Sequence, residues 1–264
     1  MNVDFGHKHL SGLLWLGILI FILLTVLLLI KRKWKLGMGF DKGVIRYTCY
    51  FMWALEIIKT VRLINYADYG PVGHYPIWMA PFHICSSGLY AFLLVGSKKD
   101  SRIAKLVTPF AYSVMMVVTS IILTIPASSG ILGPTEDWKL CFDNILPYQS
   151  WLYHGSILFV PLYMALSGFY RPRWRDILKS VGTLFVLAAF SQGLNFLFDG
   201  SGADFMTLRY GNGNPFAFLL VDTPILYYLL LAIVSAAGVS VVIGVTILAR
   251  LIIDRGRKSK EIIA

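Results

Sequence analysis

The run Leu13–Ile30, LLWLGILIFILLTVLLLI, decides the class of this protein because it contains no charged residue and has no polar face. A helix of about 20 apolar residues crosses a hydrocarbon core about 30 Å thick, and this run is close to that length. The run ends in Lys31, Arg32 and Lys33 rather than in a small-residue cleavage site, which predicts a retained helix and not a signal peptide. We expect this helix to be an anchor on the outside of a bundle.

The rest of the chain follows the same pattern. Of its 264 residues, 57% are hydrophobic and 14% are charged, and the mean hydropathy is +0.68, which argues against an ordinary soluble domain. We predict an all-α fold in which one integral membrane domain forms a seven-transmembrane-helix bundle. The expected location is the cell membrane, as a multi-pass protein. The predicted helices are about 13–30, 44–64, 77–96, 106–125, 150–166, 177–198 and 224–248.

Most of the 24 Lys and Arg residues lie in clusters that follow the first, third, fifth and seventh predicted helices. Connectors rich in Lys and Arg remain in the cytoplasm, so this distribution predicts an N-terminus outside and a C-terminus in the cytoplasm. The clusters alternate with apolar runs, and the sequence has no nucleic-acid-binding motif. The net charge of +10 therefore indicates membrane topology and not a nucleic-acid partner.

The segment PFHICSSG, residues 81–88, places polar side chains near the start of the third predicted helix. A charge at the centre of a span costs about 2.5–3.5 kcal/mol on insertion scales, so such residues usually face a cavity or the bundle interior. On a helical wheel, His83 shares one face with Ser86, Ser87 and Tyr90. Cys85 lies on another face, where a buried thiol acting as a small hydrophobic group is the alternative to a functional one.

A polar stripe precedes this segment on the second predicted helix. Trp53, Glu56 and Thr60 recur at helical spacing, and Lys59 follows Glu56 by three residues, so all four share one face. Two interpretations remain open for Glu56 and Lys59. They form either a self-neutralising structural pair or part of a polar site, since a buried pair still needs further hydrogen-bond partners.

All five histidines fall on the outer side or in the outer half of a predicted helix. We therefore expect a polar cavity in the outer half of the bilayer, with Gln192 and Asn195 of the sixth helix beside it. His154, near the start of the fifth helix, is the candidate general base, because the pKa of imidazole lies near working pH.

Metal binding is the competing chemistry. Suitable ligand types occur, but no HxxxH or HExxH spacing supports a site, and we predict no metal and no cofactor. The three cysteines, Cys49, Cys85 and Cys141, have no short spacing that indicates a metal or disulfide framework. The ligand types are found at Glu56, His74, His83, Asp143 and His154.

Several short motifs occur in the order found in a known family: the Pro81-Phe-His-Ile-Cys85 box, the Trp-Glu-Lys stripe before it, Tyr153-His154, Asn195-Phe-Leu-Phe and Pro224-Ile-Leu-Tyr227. From the second helix onward the chain resembles the YwaF-like bacterial integral membrane proteins, whose box is of the Pro-Leu-His-Leu-Cys type. That family is similar to the transmembrane-protein-164-type acyltransferases. More distantly, it resembles the androgen-induced membrane lipid hydrolases, which use a nucleophile on one helix and a histidine on another.

The resemblance implies a membrane lipid acyltransferase or acyl hydrolase, with Cys85 as the acyl-carrying nucleophile and His154 as the base. His83 is expected to orient the reacting groups or to donate to the oxyanion. The alternative is a non-enzymatic transporter or small-molecule-binding component that uses Glu56, Lys59 and His83. Membrane lipids are the expected partners, and the oligomeric state is left open. The expected substrate-binding residues are Trp53, Glu56, Lys59, Ser86, Ser87, Tyr90, Gln192, Asn195 and Tyr227.

Overall fold

The computed structural model describes residues 7–65, 72–99, 101–124, 145–199, 201, 204–207 and 224–263. Single turns of 3-10 helix lie at Ile77–Met79 and Phe205–Thr207. Most of the predicted loop 126–149, with Cys141 and Asp143, lies outside the described residues. The α-helices of the described part are α1 (His7–Lys33), α2 (Met38–Asn65), α3 (Ser87–Val95), α4 (Arg102–Thr124), α5 (Ile145–Leu166), α6 (Asp176–Leu197) and α7 (Pro224–Ile263).

Four of these helices are long and apolar enough to cross a bilayer. They are α1 over Gly12–Lys33, α4 and α6 over their full lengths, and α7 over Leu226–Arg255. A helix satisfies its backbone hydrogen bonds within itself, which is why apolar chain segments of this length cross membranes as helices. The protein is therefore an all-α membrane protein with several candidate spans.

Helix α1 lies on the outside of the bundle. The buried hydrophobic side chains in the described part of this helix are Leu16, Ile20 and Leu24, which are spaced four residues apart and form one stripe. This stripe packs against α5. A Cβ atom placed on Gly155 of α5 would lie only 2.5 Å from Cδ1 of Leu16, so the glycine allows the two helices to approach closely.

Helix α4 occupies the centre of the bundle and contacts α3, α5, α6 and α7. About 50% of its membrane-length segment is buried, a larger share than in the other three candidate spans. Hydroxyl groups join it to its neighbours. Ser113 donates to Ser180 of α6 over 3.0 Å. The hydroxyl of Tyr112 on α4 lies 2.6 Å from that of Thr246 on α7.

The prediction of one helix over 77–96 differs from the structure. After the turn Ile77–Met79 the chain forms a series of turns over 80–86, and α3 begins only at Ser87. Pro81 has no backbone N–H and disfavours helical backbone in the residue before it. Ala80 accordingly has extended dihedral angles, with φ −61° and ψ 150°. The helical wheel that separated His83 from Cys85 therefore does not apply.

A buried carboxylate joins three helices at the end of the bundle opposite to residues 80–86. Asp41 of α2 accepts hydrogen bonds from Lys31 Nζ of α1 and from the Tyr163 hydroxyl of α5, each over 2.7 Å. Lys31 also donates to the Ser167 carbonyl over 2.8 Å. The charge of Asp41 is thus paired and hydrogen-bonded, as a buried ion requires.

Candidate functional site

The centre of the candidate site is the pair of buried Glu56 and half-buried Lys59, which lie one turn apart on α2 and form a salt bridge. Lys59 Nζ also donates to the backbone carbonyl of Met79 over 3.2 Å. Because Met79 belongs to the turn that precedes residues 80–86, this hydrogen bond joins α2 to the segment that carries Cys85. The pair therefore has a partner beyond itself.

Cys85 lies beside this pair. Its side chain is half-buried and is close to Ser86, and the charged groups that act on the thiol are Lys59 and Glu56. A nearby ammonium group stabilises a thiolate, and a carboxylate opposes it. The turns over 80–86 thus place the predicted nucleophile next to the predicted charge pair.

Helix α5 contributes two neighbouring side chains, Tyr153 and His154, which are both buried. The Tyr153 hydroxyl lies near Ser86 and Cys85 and is influenced by the charge of Glu56. Tyr153 belongs to the Tyr153-His154 motif but was not predicted as a site residue. Its place in an apolar helix could have identified it, because a buried phenol usually has a polar group near its hydroxyl.

The backbone determines which nitrogen of His154 carries the proton. Nδ1 lies 2.8 Å from the Ser150 carbonyl oxygen, which can only accept, so Nδ1–H is the donor. In the neutral imidazole, Nε2 then carries a lone pair. Nε2 is buried and has no hydrogen-bond partner among the residues that the structure describes. Lys59 is the charged side chain that acts on this ring.

His83 points toward a different neighbour. Its ring packs edge-on against Phe205, with 5.5 Å between ring centroids, and Phe82 packs against the same ring at 5.4 Å. Asn195 of α6 holds Phe205 through its backbone, and Ser191 donates to the Phe82 carbonyl over 3.4 Å. The end of α6 therefore positions the 80–86 segment.

The remaining predicted residues are divided between the site and its surroundings. Tyr90 packs edge-on against Trp53 at 5.9 Å and is influenced by Glu56. Ser87 donates to the Ile84 carbonyl over 2.5 Å and so stabilises the turn before α3. Gln192 accepts from Asn195 over 3.3 Å. Tyr227 is buried and its ring packs on Tyr228.

An apolar groove of about 280 Å³ leads to the pair from the surface of the bundle. Its lining is mostly apolar, and Ile57 and Val61 at its edge are 60% and 44% exposed. Burial, followed by the Glu56 carboxylate, raises the pKa of Tyr75 to about 12, although Thr60 opposes the shift. The phenol therefore stays protonated. The lining residues are Trp53, Glu56, Ile57, Thr60, Val61, Tyr75 and Pro81.

The described residues contain no group of three His, Cys, Asp or Glu side chains placed to hold a metal ion. His83 and His154 therefore do not share a metal site with Glu56 in this part of the chain. Asp143, the fifth residue of the predicted ligand set, lies outside the described residues.

Comparison with known proteins adds one finding. A family model described as the TMEM164 family matches residues 5–244, which is nearly the whole chain and includes every predicted site residue. The match supports the transmembrane-protein-164 part of the resemblance, and it extends neither to the YwaF-like label nor to the hydrolases. No curated protein and no solved structure matches the sequence.

Proposed function

The chain belongs to the TMEM164 family, and we propose that it is a membrane-lipid acyltransferase or acyl hydrolase. The observation that carries the proposal is the state of His154. Its Nδ1–H is held by the Ser150 carbonyl, which leaves the buried Nε2 available as a base. Lys59 acts electrostatically on both Cys85 and His154, which supports a thiol and an imidazole that share one polar cluster.

In the first half-reaction, Sγ of Cys85 attacks the acyl carbonyl of a lipid ester while its proton passes to Nε2 of His154. The ester C–O bond then breaks, the departing alcohol takes this proton, and an acyl thioester remains on Cys85. An acceptor hydroxyl, or water in hydrolysis, next gives its proton to His154 and attacks the thioester. The proton returns to the departing thiolate, which restores the enzyme.

The oxyanion of each tetrahedral intermediate needs donors that are already in place. The Ser86 hydroxyl and backbone N–H, which adjoin Cys85, can donate, and so can the Lys59 ammonium and the Tyr153 hydroxyl. His83, two residues from Cys85, has the additional role of packing against Phe205. Nucleophile–base hydrogen bonds are often long in the absence of substrate, so we expect Cys85 and His154 to approach on lipid binding.

The groove beside Glu56 supplies a route for an apolar substrate. Its exposed edge consists of Ile57 and Val61, which are the side chains that hydrocarbon favours. A phospholipid that enters sideways from the bilayer keeps its acyl chain in an apolar environment and brings its ester toward the charged pair. The substrate class that fits is therefore a membrane phospholipid.

The proposal includes a topology in the cell membrane. All seven helices cross the bilayer or lie within it, the N-terminus is outside and the C-terminus is cytoplasmic, with the site in the outer half. The support is the concentration of Lys and Arg at one end of the helices. Labelling of single cysteines placed at residues 35 and 72 with an impermeant thiol reagent tests it in intact cells. Labelling at residue 35 without labelling at residue 72 would contradict the proposed orientation.

The activity is tested with purified protein, a phospholipid labelled in its acyl chain and a lysophospholipid acceptor. Thin-layer chromatography measures transferred and released acyl groups, and hydroxylamine-sensitive label on the protein measures the thioester. We expect Cys85→Ala to lose product and adduct. We expect His154→Ala to lower the rate by about 10²–10⁴-fold, the usual contribution of a general base.

Two matched variants are the controls. Cys49→Ala removes a buried thiol that donates to the Leu89 carbonyl, and His74→Ala removes an exposed imidazole. Both are expected to retain the wild-type rate when corrected for folded protein. Wild-type rates and adduct in Cys85→Ala and His154→Ala would refute acyl transfer through these residues.

Binding of a polar small molecule without chemistry is the second candidate function. The observation that favours it is the position of Glu56, a carboxylate in the wall of an otherwise apolar groove. The same lipid assay separates the two functions, because a covalent adduct on Cys85 forms only in the first. Neither adduct nor product in wild-type protein would favour binding without chemistry.

A further inference from the structure

A second groove, of about 350 Å³, lies at the other end of the bundle from the Glu56–Lys59 pair. It is formed by the start of α4, the connector between α5 and α6, and the start of α6. Lys179 in this groove and Ser191 near the candidate site are separated by about 18 Å along α6, from the helical rise per residue. We call it the basic groove. It is lined by Lys105, Pro109, Gly168, Phe169, Tyr170, Arg171, Arg173, Asp176 and Lys179.

The basic groove contains more positive charge than its one carboxylate neutralises. Asp176 accepts hydrogen bonds from Lys179 Nζ over 2.8 Å, from the Tyr170 hydroxyl over 2.9 Å and from the Arg173 backbone N–H over 3.0 Å. The Asp176 carboxylate therefore has its hydrogen-bond donors within the groove. Lys105, Arg171 and the Arg173 guanidinium form no ion pair with the residues that the structure describes, and all three side chains are exposed.

The wall of the basic groove is held by hydrogen bonds from α7. The guanidinium of Arg250 donates to the carbonyl of Ala165 over 3.3 Å and to that of Tyr170 over 2.7 Å. The connector that carries Arg171 and Arg173 thus begins from a fixed point. An arrangement of this kind fixes the backbone from which Arg171 and Arg173 project before a ligand binds.

The position of the basic groove along the helices indicates its surroundings. Both α4 and α6 are membrane-length helices, and the groove lies at their N-terminal ends. Trp174 and Leu178 beside it are 62% and 77% exposed. Tryptophan is enriched at the level of lipid headgroups, and exposed leucine favours the acyl region next to it. The cations are therefore at the depth of lipid phosphates.

We propose that the basic groove binds the phosphate of an anionic phospholipid headgroup. Arg171 and Arg173 offer the forked N–H geometry that matches phosphate oxygens, and Lys105 contributes a third positive charge. Basic pockets between membrane helices have the chemistry that recognises such headgroups. The proposal is independent of the acyl-transfer proposal, because it uses other residues at the other end of the bundle.

The test measures lipid binding to the full-length protein in neutral detergent by native mass spectrometry. Dioctanoyl phosphatidylglycerol is the anionic probe, and dioctanoyl phosphatidylcholine is the zwitterionic probe of the same chain length. The variant is Arg171→Gln/Arg173→Gln. The control, Arg32→Gln/Lys33→Gln, removes the same charge from exposed residues at the end of α1.

We expect wild-type protein and the control to prefer phosphatidylglycerol, and the variant to bind it roughly thirtyfold more weakly, from the energy of two surface cations. Its unfolding temperature without lipid should equal that of wild type. Equal affinity of wild type for both lipids, or equal loss in variant and control, would overturn the proposal.

Inorganic phosphate is the third probe, since it has the same chemistry without acyl chains. Displacement of phosphatidylglycerol only at phosphate concentrations far above the lipid's dissociation constant supports the lipid as the ligand. Phosphate that binds wild type as tightly as the lipid does, and is lost in the variant, would overturn the lipid assignment in favour of a soluble phosphate compound.

Discussion

The side-chain amide of Asn195 binds both backbone groups of Phe205. Its Oδ1 accepts from the Phe205 N–H over 2.7 Å, and its Nδ2 donates to the Phe205 carbonyl over 3.2 Å. Phe205 in turn packs against Phe82 and His83. Asn195 on α6 is thereby one of the residues that hold the irregular segment before α3, which carries Cys85.

Replacement of Asn195 by alanine is expected to destabilise the protein by about 1–3 kcal/mol, because it leaves two buried backbone groups without partners. Asn195→Asp keeps the acceptor for the Phe205 N–H but buries a carboxylate that faces the Phe205 carbonyl, so it should destabilise at least as much as Asn195→Ala. Unfolding in detergent, followed by tryptophan fluorescence, measures both. Equal stability of Asn195→Ala and wild type would show that the Phe205 turn is not held by this amide.

Glu56 and Lys59 are expected to behave as a buried pair. Glu56→Gln or Lys59→Met alone leaves one charge uncompensated and should cost about 3–5 kcal/mol of stability. The double variant removes both charges and should recover much of this loss. Thermal unfolding of the three variants is the measurement. A double variant as unstable as the sum of the single ones would contradict a direct pair.

The same double variant separates structure from chemistry. With both charges removed, the Cys85 thiol loses the ammonium group beside it, so acyl transfer should remain low even where stability is regained. The measurement is the rate of acyl transfer per folded protein. Recovery of the full rate together with stability would assign the pair a structural role only.

Tyr163→Phe tests the buried network at the other end of the bundle. It removes the hydroxyl that donates to Asp41 over 2.7 Å and retains the ring. A hydrogen bond to a charged group contributes about 1.5–3 kcal/mol, so the free energy of unfolding should fall by that amount. Acyl transfer at 25 °C should not change, since the network lies far from Cys85. A loss of activity without a loss of stability would contradict this separation.

Two glycines should respond to alanine in opposite directions. A Cβ atom at Gly96 would lie 2.8 Å from the backbone nitrogen of Arg46, which cannot move without shifting α2, so Gly96→Ala should destabilise by about 1–3 kcal/mol. Gly182 on α6 has no atom within 4 Å of the added Cβ. Gly182→Ala should therefore stabilise by about 0.4–1 kcal/mol through the unfolded chain. Thermal unfolding of both variants measures the contrast, and equal effects would refute it.

The sequence predicts the membrane class and the outer position of α1 because hydropathy is a local property. Leu13–Ile30 requires no knowledge of its neighbours to be identified as a membrane-length apolar helix. The third helix was harder to predict. The predicted helix extends through residues 80–86, yet Pro81 interrupts the helix there and the wheel over these residues does not apply.

The candidate site shows the same division. Glu56 and Lys59 are a helical pair that spacing alone brings together, and they do form a salt bridge. Tyr153 and Tyr75 were missed, because their relation to Glu56 depends on how α5 and the segment before α3 pack against α2. The separate position of His83, against Phe205, depends in the same way on α6.

The sequence by itself determined that this chain is a helical membrane protein, which residues of the run 13–30 are apolar, and that a charged pair lies on one face of α2. Only the tertiary structure decided that Lys59, Glu56 or both act on Cys85, Tyr153 and His154, and that the His83 ring packs against Phe205. The physical reason is that the turns over 80–86 have no helical repeat of their own. The position of these turns is instead fixed by contacts with other elements: Lys59 donates to Met79 just before them, and Ser191 donates to the Phe82 carbonyl. Phe205, held by Asn195, packs against Phe82 and His83.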